Sequence, residues 1–391
     1  MPVVGEAEVR EVLRRGGRKL VVSEDALLTP QALESAERLG VRIQRGATRP
    51  SPVGTDPARA IRRTLLRRNP RWVAPSAHRG LTPTRFGRLG FVGAGGVGAT
   101  TAHLAACADM ADEIVMIDIV PDVAAAVALD LEHASGITGS RTSGRGGTGM
   151  ELVAGCDAIV ITAGRPRTPG MDRSALLEVN GSVIRSAAEA VAQYAPEAIV
   201  IVVTNPLDEM THEFWAASGL EPRKVIGMAG TLDSSRFRHE IARAADAQAA
   251  DVEAVTLGSH GAEMVPVTST ATVRGRPLVD VLSAEEIEQC VKRTIDGGAA
   301  VVRLRRTGSA IYAPAHATLE LLDAIRGAKA GPVSVSARLE GEYGIDGIFL
   351  GVPAVLGRDG VIEVVEQTLS AEELESLREA ASAIRARLDL G

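Results

Sequence analysis

Aromatic side chains are scarce in this 391-residue chain: five Phe, three Tyr and two Trp make up 3% of it. So few flat rings argue against base-stacking surfaces for single-stranded nucleic acid. Cysteine is scarcer still. Cys107, Cys156 and Cys290 lie far apart and form no CxxC pair, which argues against a disulfide scaffold or a thiolate metal cluster and points to reduced thiols. No apolar run reaches the 18 or so residues that a membrane helix needs. The opening Met1-Pro2-Val3-Val4-Gly5-Glu6 lacks the basic-then-apolar pattern of a secretory leader. The expectation is a cytoplasmic protein, with no metal and with neither membrane nor nucleic acid among its partners.

What is present is an ordinary globular balance, 45% hydrophobic and 24% charged, in a chain long enough for two or three domains. Its charge is divided unevenly. Residues 1–88 carry 17 Arg and one Lys against eight acids, a balance of +10, whereas residues 89–391 carry 25 bases against 41 acids, a balance of −16. A basic segment joined to an acidic body suggests separate units. Within residues 1–49, a helix over Glu8–Arg15, a strand over Lys19–Val22, a helix begun by Thr29-Pro30 and ended by Gly40, and a strand over Val41–Ile43 describe a small module. So short a piece buries little core and leans on a partner or on the body. The Arg- and Pro-rich residues 50–87 read as a solvated tether with one helix over Pro57–Arg68. An arginine surface that binds nucleic acid or an acidic surface is the less favoured reading of the same residues.

From Arg88 the texture changes. The strand Leu89–Val92 runs into Gly93-Ala94-Gly95-Gly96-Val97-Gly98, then an alanine-rich helix over Ala99–Ala108, then a strand over Ile114–Ile117 that ends at Asp118. Gly93 permits the tight turn, Gly95 lets backbone approach a pyrophosphate, and Gly98 lets helix pack on strand. A carboxylate 25 residues after Gly93 suits both ribose hydroxyls and repels a 2′-phosphate, so the cofactor expected is NAD. The alternation continues with a helix over Val123–His133, a strand over Ala158–Ile161, a helix over Ser174–Tyr194 and a fully apolar strand over Ala198–Val203. Such strands are buried on both faces of a parallel sheet. The last delivers Val203-Thr204-Asn205 to the C-terminal edge, where open parallel sheets bind their ligands. The fold class expected is α/β: a Rossmann doubly wound parallel sheet over residues 88–229, then an α+β substrate domain over 230–391, with the N-terminal module attached. That second half is expected to hold polar strands over Pro266–Arg274 and a final helix over Ala371–Leu388.

Four segments carry chemistry. Arg167 and Arg173 lie on a Pro-Gly loop after a sheet strand, where guanidinium forks clamp anions. Asn205 is a neutral amide at a strand end. Asp233 and Arg236 are three apart and share a helix face, as an ordinary surface ion pair also would. His260 stands between glycines in Gly258-Ser259-His260-Gly261-Ala262 and titrates near neutral pH.

With these residues in place, the region from Arg88 to Leu390 resembles the malate/lactate dehydrogenase family, in its lactate-dehydrogenase-like malate dehydrogenase branch. The matching stretches are GAGGVGAT (93–100), ITAGRPRTPGMDR (161–173), VTNPLDEMT (203–211), VIGMAGTLDSSRFR (225–238), GSHGAEMVP (258–266), TGSAIYAPA (307–315) and LEGEYGIDGIFLGVPAVLG (339–357). The resemblance implies that His260 is the catalytic acid/base and Asp233 the carboxylate that fixes its tautomer. It implies that Arg236 holds the substrate's C1 carboxylate, Arg173 polarises the carbonyl, and Asn205 touches substrate and nicotinamide. Asn180 is implied to contact the cofactor, and Ala310 to fill a small-residue position in the pocket. Lactate enzymes of the family resemble one another in carrying glutamine where this chain has Arg167. A second cation pairs the distal carboxylate of a four-carbon dicarboxylate, so malate/oxaloacetate is the substrate expected. A homotetramer or homodimer is expected too.

Two departures stand out: Ala262 where the family usually has aspartate, and Ser259 where glycine is common. They put the rigidity of the histidine loop in question and leave open a non-catalytic NAD-binding scaffold. A broader 2-keto-acid reductase is the other alternative. Residues 18–45 resemble short segments of enzymes associated with bacterial microcompartments, which implies docking of the N-terminal module to a protein partner or microcompartment.

Overall fold

The computed structural model describes residues 3–6, 8, 9, 12, 17–23, 26–46, 83–165, 173–306 and 308–389. The chain divides into two compact units, Met1–Val73 and Ala74–Gly391.

In the first unit β1 (Val3–Val4) pairs in parallel with β3 (Leu27–Leu28), and β2 (Lys19–Ser23) with β4 (Arg42–Gly46). Helix α1 (Pro30–Leu39) links β3 to β4. Thr29 Oγ1 accepts the Ala32 N–H at its start, Pro30 opens it, and Gly40 closes it at φ +66°, all as the sequence suggests. Val9, Ala32, Ala36 and Val41 form its small core. The expected helix over Glu8–Arg15 lies partly, and that over Pro57–Arg68 wholly, outside the described residues.

The second unit is organised on one sheet of eleven strands. Six are parallel: β5 (Phe86–Val92), β6 (Ala111–Ile117), β7 (Ser143–Gly147), β8 (Ala158–Ile161), β9 (Ile199–Val202) and β10 (Val225–Gly227). They lie side by side as β7-β6-β5-β8-β9-β10, so the chain runs outward from β5 in both directions and leaves a crevice beside it. Alternate residues serve opposite faces. Phe91, Ile114, Met116, Val160 and Ile201 pack with α2 (Gly96–Cys107) and α3 (Val123–Thr138). Val92, Val115, Ile159 and Val200 pack with α4 (Arg173–Tyr194) and α5 (Leu207–Ser218). Each buried Val or Ile contributes about 1.5–3 kcal/mol, and a one-residue slip would exchange the two faces.

Elements begin and end a few residues from where the pattern puts them. Strand β5 starts at Phe86, not Leu89, because Phe86 is fully buried and Arg88 pairs with Glu113 of β6. Helix α2 starts inside the glycine loop at Gly96, and α3 runs on to Thr138, where Gly139 at φ +73° ends it.

The second half departs further from expectation. Its long strands, β16 (Val333–Glu340) and β17 (Asp346–Gly357), are antiparallel additions to the same sheet, joined at Gly227↔Ser336. A Cβ on Gly227 would stand 2.7 Å from both the Ser336 Cβ and Thr211 Oγ1, so glycine makes this junction. Continuous polar strands over Pro266–Arg274 do not form. Instead β12 (Thr256–Gly258) and β13 (Met264–Pro266) make a hairpin on β17. A separate small sheet contains β11 (Val252–Glu253), β14 (Thr272–Val273) and β15 (Arg276–Pro277). Arg274 and Gly275 at positive φ supply the β14–β15 turn. Helices α6 (Gly230–Ala244), α7 (Ala284–Arg305), α8 (Tyr312–Ile325) and α9 (Ala371–Arg387), and strand β18 (Gly360–Val364) on β17, complete the unit. None of the helices among the described residues is long and apolar enough to cross a membrane.

Candidate active site

The glycine loop is shaped by close contact at two of its glycines and by openness at a third. Gly93 has φ +108°, and a Cβ there would lie 2.6 Å from Ala163 N. A Cβ on Gly98 would fall 2.0 Å from the Gly93 carbonyl oxygen, which no side chain can occupy. A Cβ on Gly95 would meet nothing within 4 Å; it opens onto unfilled space at the α2 N-terminus, where no side chain caps the helix. Uncapped helical N–H groups beside an open approach form an anion site. Asp118 ends β6 and is fixed there: Ala94 N–H donates to Oδ2 at 2.8 Å and Val120 N–H to Oδ1 at 2.9 Å. Each oxygen keeps a lone pair for a ribose hydroxyl. The residues present therefore fit a dinucleotide with an unphosphorylated ribose.

Two loops at the C-terminal ends of β8 and β9 are held together by Asn180 of α4, which is 1% exposed. Its Oδ1 accepts Arg165 N–H at 2.7 Å, and its Nδ2 donates to the carbonyls of Arg165 at 3.2 Å and Asn205 at 2.7 Å. Thr204 Oγ1 donates to the Ala163 carbonyl at 2.7 Å. The amide group of Asn180 is thus committed to backbone, and the exposed Asn205 side chain projects from the edge it braces.

The histidine loop, residues 259–263, caps the β12–β13 hairpin. His260 Nδ1 lies 2.7 Å from Asp233 Oδ2, and the other oxygen, Oδ1, accepts from Arg236 Nη1 at 3.0 Å. Asp233 sits in the first turn of α6, 2% exposed. An ionised carboxylate only accepts, so Nδ1 carries the hydrogen and Nε2 is the atom that exchanges a proton. Burial works hardest against the imidazolium, but the Asp233 carboxylate, by charge and hydrogen bond, outweighs it. The net result is a His260 pKa above its ordinary 6.5. Arg236 has room for its guanidinium because Gly297 and Gly298 of α7 face it; a Cβ on Gly297 would be 3.3 Å from Arg236 Cδ.

His260, Asp233 and Arg236 come together, and so do Asn180, Thr204 and the Asn205 backbone. Arg167 and the side chain of Arg173 fall outside the described residues; Arg173 opens α4. Ala310 is half-buried beside Ile311, which packs on Gly96 at the start of α2.

Sequence reasoning passed over Asp208. It accepts His260 N–H at 2.8 Å and Ser336 Oγ–H at 2.7 Å, and ties the histidine loop to the segment after Asn205-Pro206. Burial pushes its carboxyl up to about 6. It also passed over Arg387, the last residue of α9, which donates to Glu209, Glu263 and Ser259. Asp208 stood inside a quoted motif; Arg387 stood in none.

Two family models match this chain: the lactate/malate dehydrogenase NAD-binding domain over residues 88–227 and the lactate/malate dehydrogenase alpha/beta C-terminal domain over residues 230–391. The malate dehydrogenase of Thermomicrobium roseum is 43% identical over 298 residues, 76% of this chain and 96% of that protein. The crystal structure of Cryptosporidium parvum malate dehydrogenase superposes with a TM-score of 0.74 at 38% identity, covering 78% of this chain and 97% of that one. The lactate dehydrogenase of the same organism, solved with lactic acid and nicotinamide adenine dinucleotide, gives 0.74 at 36% identity over 80% and 100%. The chain belongs to the lactate/malate dehydrogenase family.

Proposed function

We propose that this chain is an NAD-dependent malate dehydrogenase, reversibly oxidising malate to oxaloacetate. The observation that carries this reading is the chain of contacts His260–Asp233–Arg236, built on the buried Asp233 carboxylate. It joins a proton-exchanging imidazole to a cation suited to a carboxylate. Bound NAD supplies the hydride acceptor at the substrate's C2. His260 Nε2 takes the hydroxyl proton on oxidation and returns it on reduction. Asp233 holds the tautomer and balances the imidazolium. Arg236 pairs the C1 carboxylate in the bidentate manner of guanidinium, Arg173 supports charge developing on the carbonyl oxygen, and Asn205 orients both reactants.

Arg167 selects the substrate. Its fixed charge matches the second carboxylate of a four-carbon dicarboxylate, and a monocarboxylate would leave it unpaired in a closed site, at a penalty of about several kcal/mol. Asp118 repels a 2′-phosphate and so favours NAD over NADP. The test is Arg167→Gln, with rates on oxaloacetate and pyruvate compared against the parent chain. Preference should move toward pyruvate; an unchanged ratio would remove Arg167 from substrate choice.

Beyond the reaction, the reading takes residues 88–229 as the nucleotide domain and 230–391 as the substrate domain, in a cytoplasmic homotetramer or homodimer. Residues 1–49 are taken as a docking module for a protein partner or microcompartment, tethered by residues 50–87. The +10 balance of residues 1–88 against the −16 of the body supports separate roles. Deleting residues 1–85 should leave turnover unchanged and alter only particle size or partner capture in sedimentation.

A further inference from the structure

The histidine loop lacks the aspartate expected at position 262, yet it is not unsupported. Three contacts hold it from outside. One is the Asp208 carboxylate on His260 N–H. The others come from a single side chain, Arg387 at the C-terminus of α9. Arg387 Nη1 donates to Glu263 Oε1 at 2.9 Å and Nη2 to Ser259 Oγ at 3.4 Å, while Nε donates to Glu209 Oε1. Glu209 is 1% exposed and follows Asp208 directly on α5; Ser259, next to His260, is also 1% exposed. One guanidinium therefore spans both ends of the histidine loop and the helix start that carries Asp208. Ser259 supplies a hydroxyl where glycine is common in the family, so a departure from the family pattern is itself one of the contacts. The planar fork of arginine, with donors in fixed directions, suits three partners at once in a way that lysine's single ammonium does not.

We propose that Arg387 is a positioning residue for His260: from the last turn of the C-terminal helix it fixes the loop in which the acid/base stands, doing the anchoring that Ala262 cannot. The proposal rests on His260 being the acid/base of the reading above. The charged and titratable groups around it are Glu209 and Glu263, which it pairs, and beyond them Asp208, His260, Asp233 and Arg236. Removing Arg387 takes one partner from the buried Glu209 carboxylate beside Asp208 and frees the loop.

The experiment compares the full-length parent with Arg387→Met, Arg387→Lys, Glu209→Gln/Arg387→Met and Glu263→Gln. For each, kcat, KM for oxaloacetate and for NADH, melting temperature and the NMR titration of His260 are measured. Arg387→Met should lower kcat about 10- to 100-fold, the usual penalty for a misplaced catalytic group, with KM for NADH changed less than about twofold because the glycine loop is untouched. Arg387→Lys should recover part of that loss. The double variant also neutralises Glu209, the buried carboxylate that pairs with Arg387 Nε, so its melting temperature should return toward the parent's while kcat stays low. Glu263→Gln, which leaves the Glu209 pair intact, should lower kcat several-fold at a near-parental melting temperature, and serves where Arg387→Met does not fold. Full recovery of kcat in the double variant would overturn the proposal and make Arg387 a counter-ion for Glu209 only; parental kcat in Glu263→Gln would overturn it too. A parent with no turnover on oxaloacetate would instead defeat the malate reading. The His260 titration, expected to shift in Arg387→Met and unshifted if the proposal fails, decides the positioning role in either case.

Discussion

Replacing Asp233 by Asn changes almost no volume and tests the chemistry of the site directly. The carboxylate uses both oxygens, one on His260 Nδ1 at 2.7 Å and one on Arg236 Nη1 at 3.0 Å, at a position 2% exposed. Asparagine has one acceptor oxygen for two donors. If that oxygen stays on Nδ1, its NH2 faces the Arg236 guanidinium and a half-buried cation loses its partner. If it turns to Arg236, the NH2 faces Nδ1 and drives the imidazole to the tautomer whose Nε2 already carries hydrogen. Either way a charge-assisted hydrogen bond of the carboxylate, worth about 1.5–3 kcal/mol, is lost, as a donor–donor contact with Arg236 in the first case and as the wrong imidazole tautomer in the second, and removing the buried carboxylate from its ion pair costs about 3–5 kcal/mol. At about 1.4 kcal/mol per factor of ten, a loss of about 100- to 1,000-fold in kcat/KM follows. Steady-state reduction of oxaloacetate by NADH, followed by NADH absorbance across pH, reads the effect. Because Asp233 is what holds the His260 pKa up against burial, the histidine-dependent limb of the profile should move to lower pH in the variant. Activity within threefold of the parent, with that limb unmoved, would refute the reasoning.

Other outcomes follow from contacts of the same kind. Gly98→Ala places a Cβ 2.0 Å from the Gly93 carbonyl and should abolish NADH binding by calorimetry or prevent folding; binding within twofold of the parent would contradict the packing. Asn180→Ala removes three hydrogen bonds between two loops and should raise KM for both reactants more than it lowers the melting temperature, checked by kinetics alongside scanning calorimetry. Asp208 is raised from 3.8 to about 6, so folding takes up a proton between those values. Its contribution is complete below about pH 4 and falls by about 3 kcal/mol as pH rises through 6. His260, raised above 6.5, adds stability present below that value and lost as pH rises through its folded pKa. Melting temperature should therefore fall between pH 5 and 8, and Asp208→Asn should flatten that slope.

The nucleotide half was legible because its signals are local. A glycine turn, a capless helix start and four-residue apolar strands such as Ala158–Ile161 and Ile199–Val202 each declare themselves within a short window. The second half was not, because several of its strands are only two or three residues long and its sheet junctions fall at glycines remote in sequence. Gly227 meets Ser336 and Gly258 meets Gly351, pairings that no periodicity announces. Within the site, the motifs name His260 and Asp233, and the fold brings them within hydrogen-bond distance. Asp208 reads as one acid in an acidic helix start until the histidine loop is folded over it. Arg387 pairs with Glu263 across 124 residues of chain, and on a helix rich in Glu and Arg it reads as an ordinary surface charge.

The most direct test of the proposed activity is the ratio of kcat/KM for oxaloacetate to that for pyruvate, measured on the purified chain with NADH and repeated with NADPH. Oxaloacetate should be preferred by at least about two orders of magnitude, the margin expected if Arg167 pairs the second carboxylate as proposed, and NADH should be preferred over NADPH. A preference for pyruvate, or no reduction of oxaloacetate, would contradict it.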